Sequence, residues 1–349
     1  MTRLAKSSVP DAAVPRARVR QWSKIAQRHA HPDAAHGIAQ LLTTVIPLAG
    51  LWTAMMLTLT HAWWLSLLLS VPAAAFMVRL FIIQHDCGHR SFFASRRLND
   101  GLGILIGIAT LTPHSYWRRA HNTHHTTCGN LSTRGIGDVR LLTVAEYAAL
   151  PGWKRVAYRI YRNPAALLGI GPIYLFVFKY RLPVDLLLRH PKELISVMGT
   201  NLGIAGVVAG LGLSFGFVEL AMVQGPIIVL TGIAGVWLFY VQHQFERTYW
   251  RWEGGWDFHE ASVMASSFYE LPQPLRRFSG DIGIHHIHHL SCRIPNYRLA
   301  ACLREIPALR SLNRIGLRDG FSCLRLALWD EQAQRLISFK GLRERRIPA

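Results

Sequence analysis

Histidines are the residues of this sequence whose spacing points most directly to chemistry. Ten of the 17 histidines fall in four short clusters, and the other seven are scattered. Neutral imidazole is a ligand for iron, zinc, copper and nickel, so clustered histidines predict a metal site. The four clusters are His85-Asp-Cys-Gly-His89, His121-Asn-Thr-His124-His125, Gln242-His243-Gln244 and His285-His286-Ile-His288-His289.

Helix geometry accounts for the spacing within the clusters. Residues at i and i+4, or at i, i+3 and i+4, project from one face of an α-helix. His285 therefore shares a face with His288 and His289, whereas His286 is displaced from that face by about 100°. We expect His286 to have a supporting or structural role. The alternative is a local distortion of the helix that exchanges it with His285.

The number of ring nitrogens bears on the kind of metal site. Eight or nine nitrogens exceed the four ligands of a tetrahedral zinc ion and suit two metal ions with open or water-filled positions. Few carboxylates accompany them, in contrast to the Glu-x-x-His pattern of ferritin-like di-iron bundles. We interpret the scattered histidines as solvated or structural, namely His29, His31, His36, His61, His114, His190 and His259.

Five carboxylates near the clusters could orient ligand histidines by accepting a hydrogen bond from the second ring nitrogen. For each carboxylate, the alternative is a helix cap or a surface ion pair. Together with His286, they form the set of candidate supporting residues: Asp86, Asp138, Glu246, Asp257 and Glu260.

Composition indicates a membrane protein with polar extensions. Half of the residues are apolar and 17% are charged, below the roughly 25% usual for soluble domains. The net charge of +19 suits nucleic acid or the anionic cytoplasmic leaflet of a membrane. No DNA- or RNA-binding motif accompanies it, so the membrane surface is favoured. The five cysteines form no regular framework, which predicts reduced, packed thiols in a cytosolic environment.

Four apolar runs are close to the ~20 residues needed to span hydrocarbon. Their short breaks near His61 and Glu219 predict two helical hairpins. The breaks contain no Lys or Arg, whereas the rest of the chain is basic. The positive-inside bias therefore places both termini and all histidine clusters on the cytoplasmic side. Arg79 is the exception within a span, and we expect it to snorkel. The runs are residues 37–60, 62–84, 194–218 and 220–242.

The apolar runs also suggest the domain organisation. Residues 1–36 are predicted to be a cytoplasmic tail, 37–300 a membrane catalytic domain and 301–349 a basic cytoplasmic segment. Two shorter apolar stretches, 102–111 and 165–178, are too short to span comfortably and are predicted to be interfacial or re-entrant.

At its motifs, the sequence resembles the membrane fatty acid desaturases, particularly the bacterial group related to acyl-lipid omega-6 (delta-12) enzymes. The resemblance runs from about residue 81 to residue 329, well beyond the histidines. The matching stretches include His85-Asp-Cys-Gly-His89, Arg134-Gly-Ile-Gly-Asp138, Tyr161-Arg-Asn-Pro164, Val241-Gln-His-Gln-Phe-Glu246, Trp256-Asp-Phe-His-Glu260, His285-His-Ile-His-His-Leu290 and Arg293-Ile-Pro-Asn-Tyr297.

The resemblance implies an all-α integral membrane fold: four transmembrane helices under a cytosolic helical cap that holds a di-iron site. Related acyl-CoA enzymes supply a further Asn where this chain has Phe239, so no such ligand is carried over. The implied iron ligands are His85, His89, His121, His124, His125, His243, His285, His288 and His289.

The resemblance also implies the reaction. Two irons would use dioxygen to introduce a cis double bond into an acyl chain carried by a lipid or by coenzyme A. No haem or iron–sulfur motif is evident, so we expect a separate electron donor, a ferredoxin or a cytochrome b5-like protein. The expected location is the bacterial inner membrane. The alternatives are an alkane or carotenoid hydroxylase or ketolase on the same scaffold, or a histidine-rich membrane metal transporter.

Overall fold

The computed structural model describes residues 14–182 and 190–344 and is mostly helical. Short 3-10 turns lie at Glu253–Gly255 and Pro307–Arg310. The α-helices are α1 (Arg16–Gln27), α2 (Ala34–Thr58), α3 (Trp63–Gly88), α4 (Arg96–Ala109), α5 (His114–Thr127), α6 (Val144–Ala149), α7 (Gly152–Tyr161), α8 (Gly171–Ile173), α9 (Pro191–Phe215), α10 (Phe217–His243), α11 (Phe258–Met264), α12 (Gln273–Phe278), α13 (His285–Leu290), α14 (Asn296–Glu305), α15 (Leu317–Cys323) and α16 (Phe339–Glu344).

Four of these helices, α2, α3, α9 and α10, are long and apolar enough to cross a membrane. Each has 25 to 27 residues, about 37–40 Å of helix against a hydrocarbon thickness of about 30 Å. Helix α3 is the central one, because it packs against both α2 and α10. The apolar core between these helices includes Met55, Met77, Ile83, Val223 and Ile227.

The break between α9 and α10 lies at Gly216, three residues before the Glu219 break expected from hydropathy. Gly216 has a φ of +95°, a backbone conformation that glycine adopts without steric cost. Glu219 instead lies in the first turn of α10, with its carboxylate folded over Gly216. The hydropathy pattern is interrupted at Glu219 because this residue is charged. The chain turns at Gly216 because glycine can adopt a positive φ.

The apolar stretch 165–178, one of the two predicted to be interfacial or re-entrant, forms π-helical turns, Ala166–Ile170 and Tyr174–Lys179, on either side of α8. Pro172 and Phe176 pack over Gly232 of α10. Gly232 lies about 16 Å along the helix axis from His243. The segment 166–179 therefore packs along the side of α10, one of the candidate spans.

Two small sheets accompany the helices, and the all-α prediction did not include them. Strand β1 (Leu142–Thr143) pairs in parallel with β4 (Leu326–Asp330), with Leu142 opposite Leu328, and β4 pairs in antiparallel with β5 (Arg335–Ser338). Strand β2 (Phe268–Glu270) pairs in parallel with β3 (Arg314–Gly316). Strands this short leave little periodicity in a sequence, and their pairing joins distant segments.

Both terminal segments join the folded body. Val19, Trp22 and Ala26 of α1 share a hydrophobic core with Ile287 and Leu299. Near the other end, Trp329 of β4 is 1% exposed. The first 13 residues of the predicted tail and the last five residues of the predicted basic segment lie outside the described residues.

Candidate metal centre

Four helices bring the clustered histidines together. The C-terminal end of α3 supplies His85 and its C-cap His89, and the end of α10 supplies His243. Helix α5 contributes a triad from one face, and α13 contributes another. Eight of the nine rings are buried, and His125 is half-buried. The two triads are His121, His124 and His125, and His285, His288 and His289.

The rings form two adjacent groups. The first is a set of five whose potential ligand atoms all lie within 4.8 Å of one another. In this group, Nε2 of His125 lies 3.2 Å from Nε2 of His121 and 3.1 Å from Nε2 of His288. The five residues are His85, His89, His121, His125 and His288.

The second group is centred on His243. Its Nε2 lies 3.1 Å from Nε2 of His124 and 3.0 Å from Nε2 of His285. The His289 ring lies 4.9 Å from the His243 ring and 4.7 Å from the His285 ring, centroid to centroid. His289 also stacks on His125 with centroids 4.1 Å apart. The two groups are therefore neighbours joined by this stacked pair.

The nitrogen separations fit a metal polyhedron. Two nitrogens bound at about 2.1 Å to one ion are about 3.0 Å apart at a right angle and about 3.4 Å apart at a tetrahedral angle. The observed Nε2–Nε2 separations of 3.0 to 3.2 Å are short enough for neighbouring rings to share one ion. Among the described residues, buried Nε2 atoms of His85, His89 and His289 have no hydrogen-bond partner. Buried polar atoms are normally paired, so the donor set fits bound metal.

The electrostatics of the pocket keep these rings neutral. Burial, followed by repulsion from neighbouring histidines, holds the pKa of His121, His125 and His288 well below the ordinary value of 6.5. The same causes lower the pKa of His285 and His289. Neutral imidazole is the form that binds a metal, so these histidines are in the metal-binding form at neutral pH.

Hydrogen bonds to the second ring nitrogen fix the orientation of two rings in the His243 group. Nδ1 of His124 contacts the carboxylate of Asp138, and Nδ1 of His243 donates to the carbonyl of Ala265 at 3.0 Å. With Nδ1 engaged in this way, Nε2 of each ring is the atom that faces the neighbouring histidines. The predicted orienting role of Asp138 is therefore consistent with its position.

A buried polar network supports His85 from behind. The carboxylate of Asp86 lies 3.1 Å from Nδ1 of His85 and accepts hydrogen bonds from the backbone N and Nδ2 of Asn296 at 2.6 and 2.8 Å. Gln40 of α2 donates to Asn296 at 2.9 Å. Sequence reasoning did not single out Gln40 or Asn296. For Asn296 the available signal was its place in the matching stretch Arg293-Ile-Pro-Asn-Tyr297.

Comparison with known proteins places this geometry in a family. A model of the family described as fatty acid desaturase matches residues 61–318, which include all nine clustered ligand candidates. The chain belongs to the fatty acid desaturase family.

Three relatives illustrate the range of similar desaturases. A "Fatty acid desaturase" of Bacillus subtilis (strain 168) is 41% identical over 93% of this chain and 92% of the relative. An "sn-1 acyl-lipid omega-3 desaturase (ferredoxin)" of a Synechocystis strain is 30% identical over 65% of this chain and 63% of the relative. The "sn-1 oleoyl-lipid 12-desaturase" of the same strain is 26% identical over 63% and 62%.

The other predicted supporting residues lie apart from the clustered histidine rings. Glu246 pairs with Arg335 at 2.9 Å, and Asp257 caps α11 and pairs with Arg16 at 2.9 Å. Glu260 is half-buried, and burial raises the pKa of its carboxyl. Within residues 14–182 and 190–344, none of these three carboxylates bonds to a clustered histidine. Glu246 forms a surface ion pair, and Asp257 is a helix cap that also forms an ion pair.

His286 lies outside both groups. Its Nε2 donates to the carbonyl of Leu309 at 2.7 Å, and its ring stacks on Phe268. Burial lowers the pKa of His286 to about 4. This ring therefore anchors α13 to the segment that follows α14.

Cys128 is the one sulfur close enough to join the second group among the described residues. Its Sγ lies 3.6 Å from Nδ1 of His243, behind the nitrogen that faces His124 and His285. Burial raises the pKa of the thiol, and the nearby Asp138 carboxylate raises it further. A protonated thiol on the far side of the His243 ring is a packing neighbour of the centre.

Proposed function

We propose that this desaturase holds two iron ions and uses dioxygen to introduce a cis double bond into the acyl chain of a membrane lipid. The observation that carries the proposal is the meeting of two groups of neutral imidazoles at one end of four apolar helices. Such a position suits a lipid substrate, because an acyl chain can enter from the bilayer while electrons arrive from solvent.

The ligand assignment follows the two groups. His85, His89, His121, His125 and His288 would hold one iron, and His124, His243, His285 and His289 would hold the other. Bound iron would supply the activation of dioxygen and the oxidising power for removing hydrogens from adjacent methylenes. This all-nitrogen set is consistent with a metal that keeps open positions.

The protein's own contribution is to position the rings and to exclude water. Trp117 stacks on His121 with centroids 4.5 Å apart and contacts Phe81 edge to face. Phe239 lies against both His124 and His243, with centroids 5.3 and 5.1 Å away. These aromatic walls favour an acyl chain over a polar substrate and limit the access of water to the reacting carbons.

We further propose that the four long helices form two transmembrane hairpins with the metal centre on the cytoplasmic side. Neither residues 59–62 nor Gly216, which join the paired helices, contribute a Lys or Arg, whereas the flanking regions are basic. The positive-inside bias supports this orientation. In a bacterium, the corresponding location is the inner membrane.

A separate protein would deliver the electrons. The name of the Synechocystis omega-3 relative includes ferredoxin. The net charge of +19 would attract an acidic carrier. Both points support a ferredoxin or a similar carrier. The names of the two Synechocystis relatives refer to acyl-lipid and oleoyl-lipid substrates, which favours a lipid over a coenzyme A ester.

Product analysis tests the proposal. The chain is expressed in a host that lacks desaturases, and fatty acids of each lipid class are profiled by mass spectrometry with and without oxygen. We expect an oxygen-dependent loss of two mass units in lipid-bound acyl chains, absent in a His288→Ala variant. A gain of one oxygen atom would identify a hydroxylase instead, and an unchanged profile with bound metal would favour transport.

A further inference from the structure

Two arginines lie on helices that pack against each other, near the end of the bundle that carries the histidines. Arg79 of α3 is 9% exposed and precedes His85 by about 9 Å along the helix axis. Arg277 of α12 is exposed. The next residue, Phe278, packs edge to face on Phe76 of α3 with ring centroids 5.0 Å apart. Helix α12 is thereby held against α3.

The guanidinium of Arg79 is buried with few partners. Its Nη1 donates to the carbonyl of Thr43 at 3.3 Å, and its Nε is buried without any partner. Across residues 14–182 and 190–344, neither Arg79 nor Arg277 forms an ion pair, whereas the adjacent Arg276 pairs with Asp281 at 2.6 Å. A buried charge beside a like charge costs free energy unless an anion compensates it.

If α3 crosses the bilayer as proposed, the depth of Arg79 indicates which anion it can reach. Helix α3 begins at Trp63, and about 30 Å of hydrocarbon corresponds to about 20 residues. The boundary on the histidine side therefore lies near residue 83, and Arg79 lies about 6 Å inside it. A long arginine side chain spans that distance to the headgroup level. Leu275 of α12 is also exposed, at 43%, as expected for a segment in contact with lipid.

We propose that Arg79 and Arg277 together bind the phosphate of a membrane phospholipid in the angle between α2, α3 and α12. Guanidinium groups match phosphate oxygens with paired, charge-assisted hydrogen bonds. The bound phosphate supplies the counter-ion that the protein does not provide. This inference depends on the membrane placement of α2 and α3 and is independent of the metal chemistry.

The test compares lipid binding by the purified full-length chain and its variants in detergent. The probes are dioleoylphosphatidylglycerol, dioleoylglycerol with the same acyl chains but no phosphate, and inorganic phosphate. The variants are Arg277→Gln, the double variant Arg79→Gln with Arg277→Gln, and the control Arg318→Gln, an exposed arginine of α15. Thermal unfolding reports binding, since a ligand of the folded state raises Tm.

We expect the phospholipid to raise Tm of the wild type and the control, dioleoylglycerol to have no such effect, and the double variant to bind at least about tenfold more weakly. Equal lipid affinity of wild type and double variant would overturn the proposal, as would an equal response to dioleoylglycerol. If inorganic phosphate raised Tm as much as the phospholipid does at the same concentration, the site would bind a soluble anion, and the proposal of a lipid ligand would be wrong.

Folding of the variants has its own control. Arg277 is exposed, so Arg277→Gln alone should fold normally and still weaken phospholipid binding about threefold or more. Iron content, measured in the same samples, should equal that of the wild type. If the double variant fails to fold, an unchanged affinity of Arg277→Gln contradicts the proposal.

Discussion

The carboxylate of Asp138 contacts Nδ1 of His124, and this contact turns Nε2 of the same ring towards His243. Asp138 lies outside the helices, whereas His124 lies in α5, so a loop residue determines how this helical imidazole is oriented. Carboxylates that hold the second nitrogen of a ligand histidine fix its tautomer and raise its basicity.

Replacement of Asp138 by Asn should weaken iron binding at the second group. Without the charged acceptor, His124 no longer prefers the tautomer that leaves Nε2 free. We therefore expect iron affinity to fall about 10- to 100-fold at the second group and to be unchanged at the first. Anaerobic titration with Fe(II) measures this change. Asp257→Asn is the matched control, because Asp257 caps α11 and pairs with Arg16. Equal affinities of the two variants would rule out the orienting role of Asp138.

The network behind His85 predicts a graded effect on stability. Asn296→Leu removes the Nδ2 donor to Asp86 and the acceptor for Gln40, leaving two buried polar groups short of a partner. We expect a loss of about 2–4 kcal/mol in the free energy of unfolding, at about 1–3 kcal/mol for each group. Gln40→Leu breaks only the outer link and should cost less. Thermal unfolding in detergent compares the two, and a larger cost for Gln40→Leu would contradict the ordering of the network.

Cys128→Ala should retain iron and activity. The thiol faces Nδ1 of His243, whereas the nitrogen that faces the other histidines of the group is Nε2. Truncation of a small buried side chain should lower the free energy of unfolding by about 1 kcal/mol and leave the iron content unchanged. Metal analysis together with product analysis provides the check. A variant that lacks one iron would make Cys128 a ligand.

Local geometry made much of the centre predictable from sequence. Spacings of three and four residues place His121 with His124 and His125, and exclude His286 from the same face as His288, because helix periodicity is a short-range property. Contacts across the fold are different. The carbonyl of Ala265, which accepts from His243, belongs to no motif.

Long-range packing also decided the roles of the carboxylates. Glu246 lies near His243 in sequence, yet its partner is Arg335 of β5. The pairing of β1 with β4 joins segments more than 180 residues apart through strands of two and five residues. Neither relationship leaves a periodic signal in the sequence, since both arise from the tertiary arrangement.

Acid sensitivity should depend on His114, which lies outside the metal groups. Burial, followed by the charge of Arg118, lowers the pKa of His114 to about 4, against about 6.5 in the unfolded chain. Between about pH 6.5 and pH 4, His114 therefore binds a proton in the unfolded state but stays neutral in the folded state. Stability is lost as the pH falls through this window, by up to about 3 kcal/mol.

His114→Gln should accordingly show a smaller fall in Tm between pH 7 and pH 4.5 than the wild type. The control is His61→Gln, since His61 is exposed in the connection between α2 and α3. Thermal unfolding of the iron-loaded proteins across this range gives the comparison. Parallel pH profiles for wild type and His114→Gln would assign the acid sensitivity to other groups.

The number of irons per chain tests the central claim most directly. The purified protein is loaded with Fe(II) without oxygen, freed of excess metal and analysed for iron and by Mössbauer spectroscopy. Two irons per wild-type chain, in nitrogen-rich environments, are predicted, with one remaining after His285 and His289 are both changed to Ala. A wild-type chain that binds a single iron, or a double variant that keeps two irons and full activity, would contradict the account.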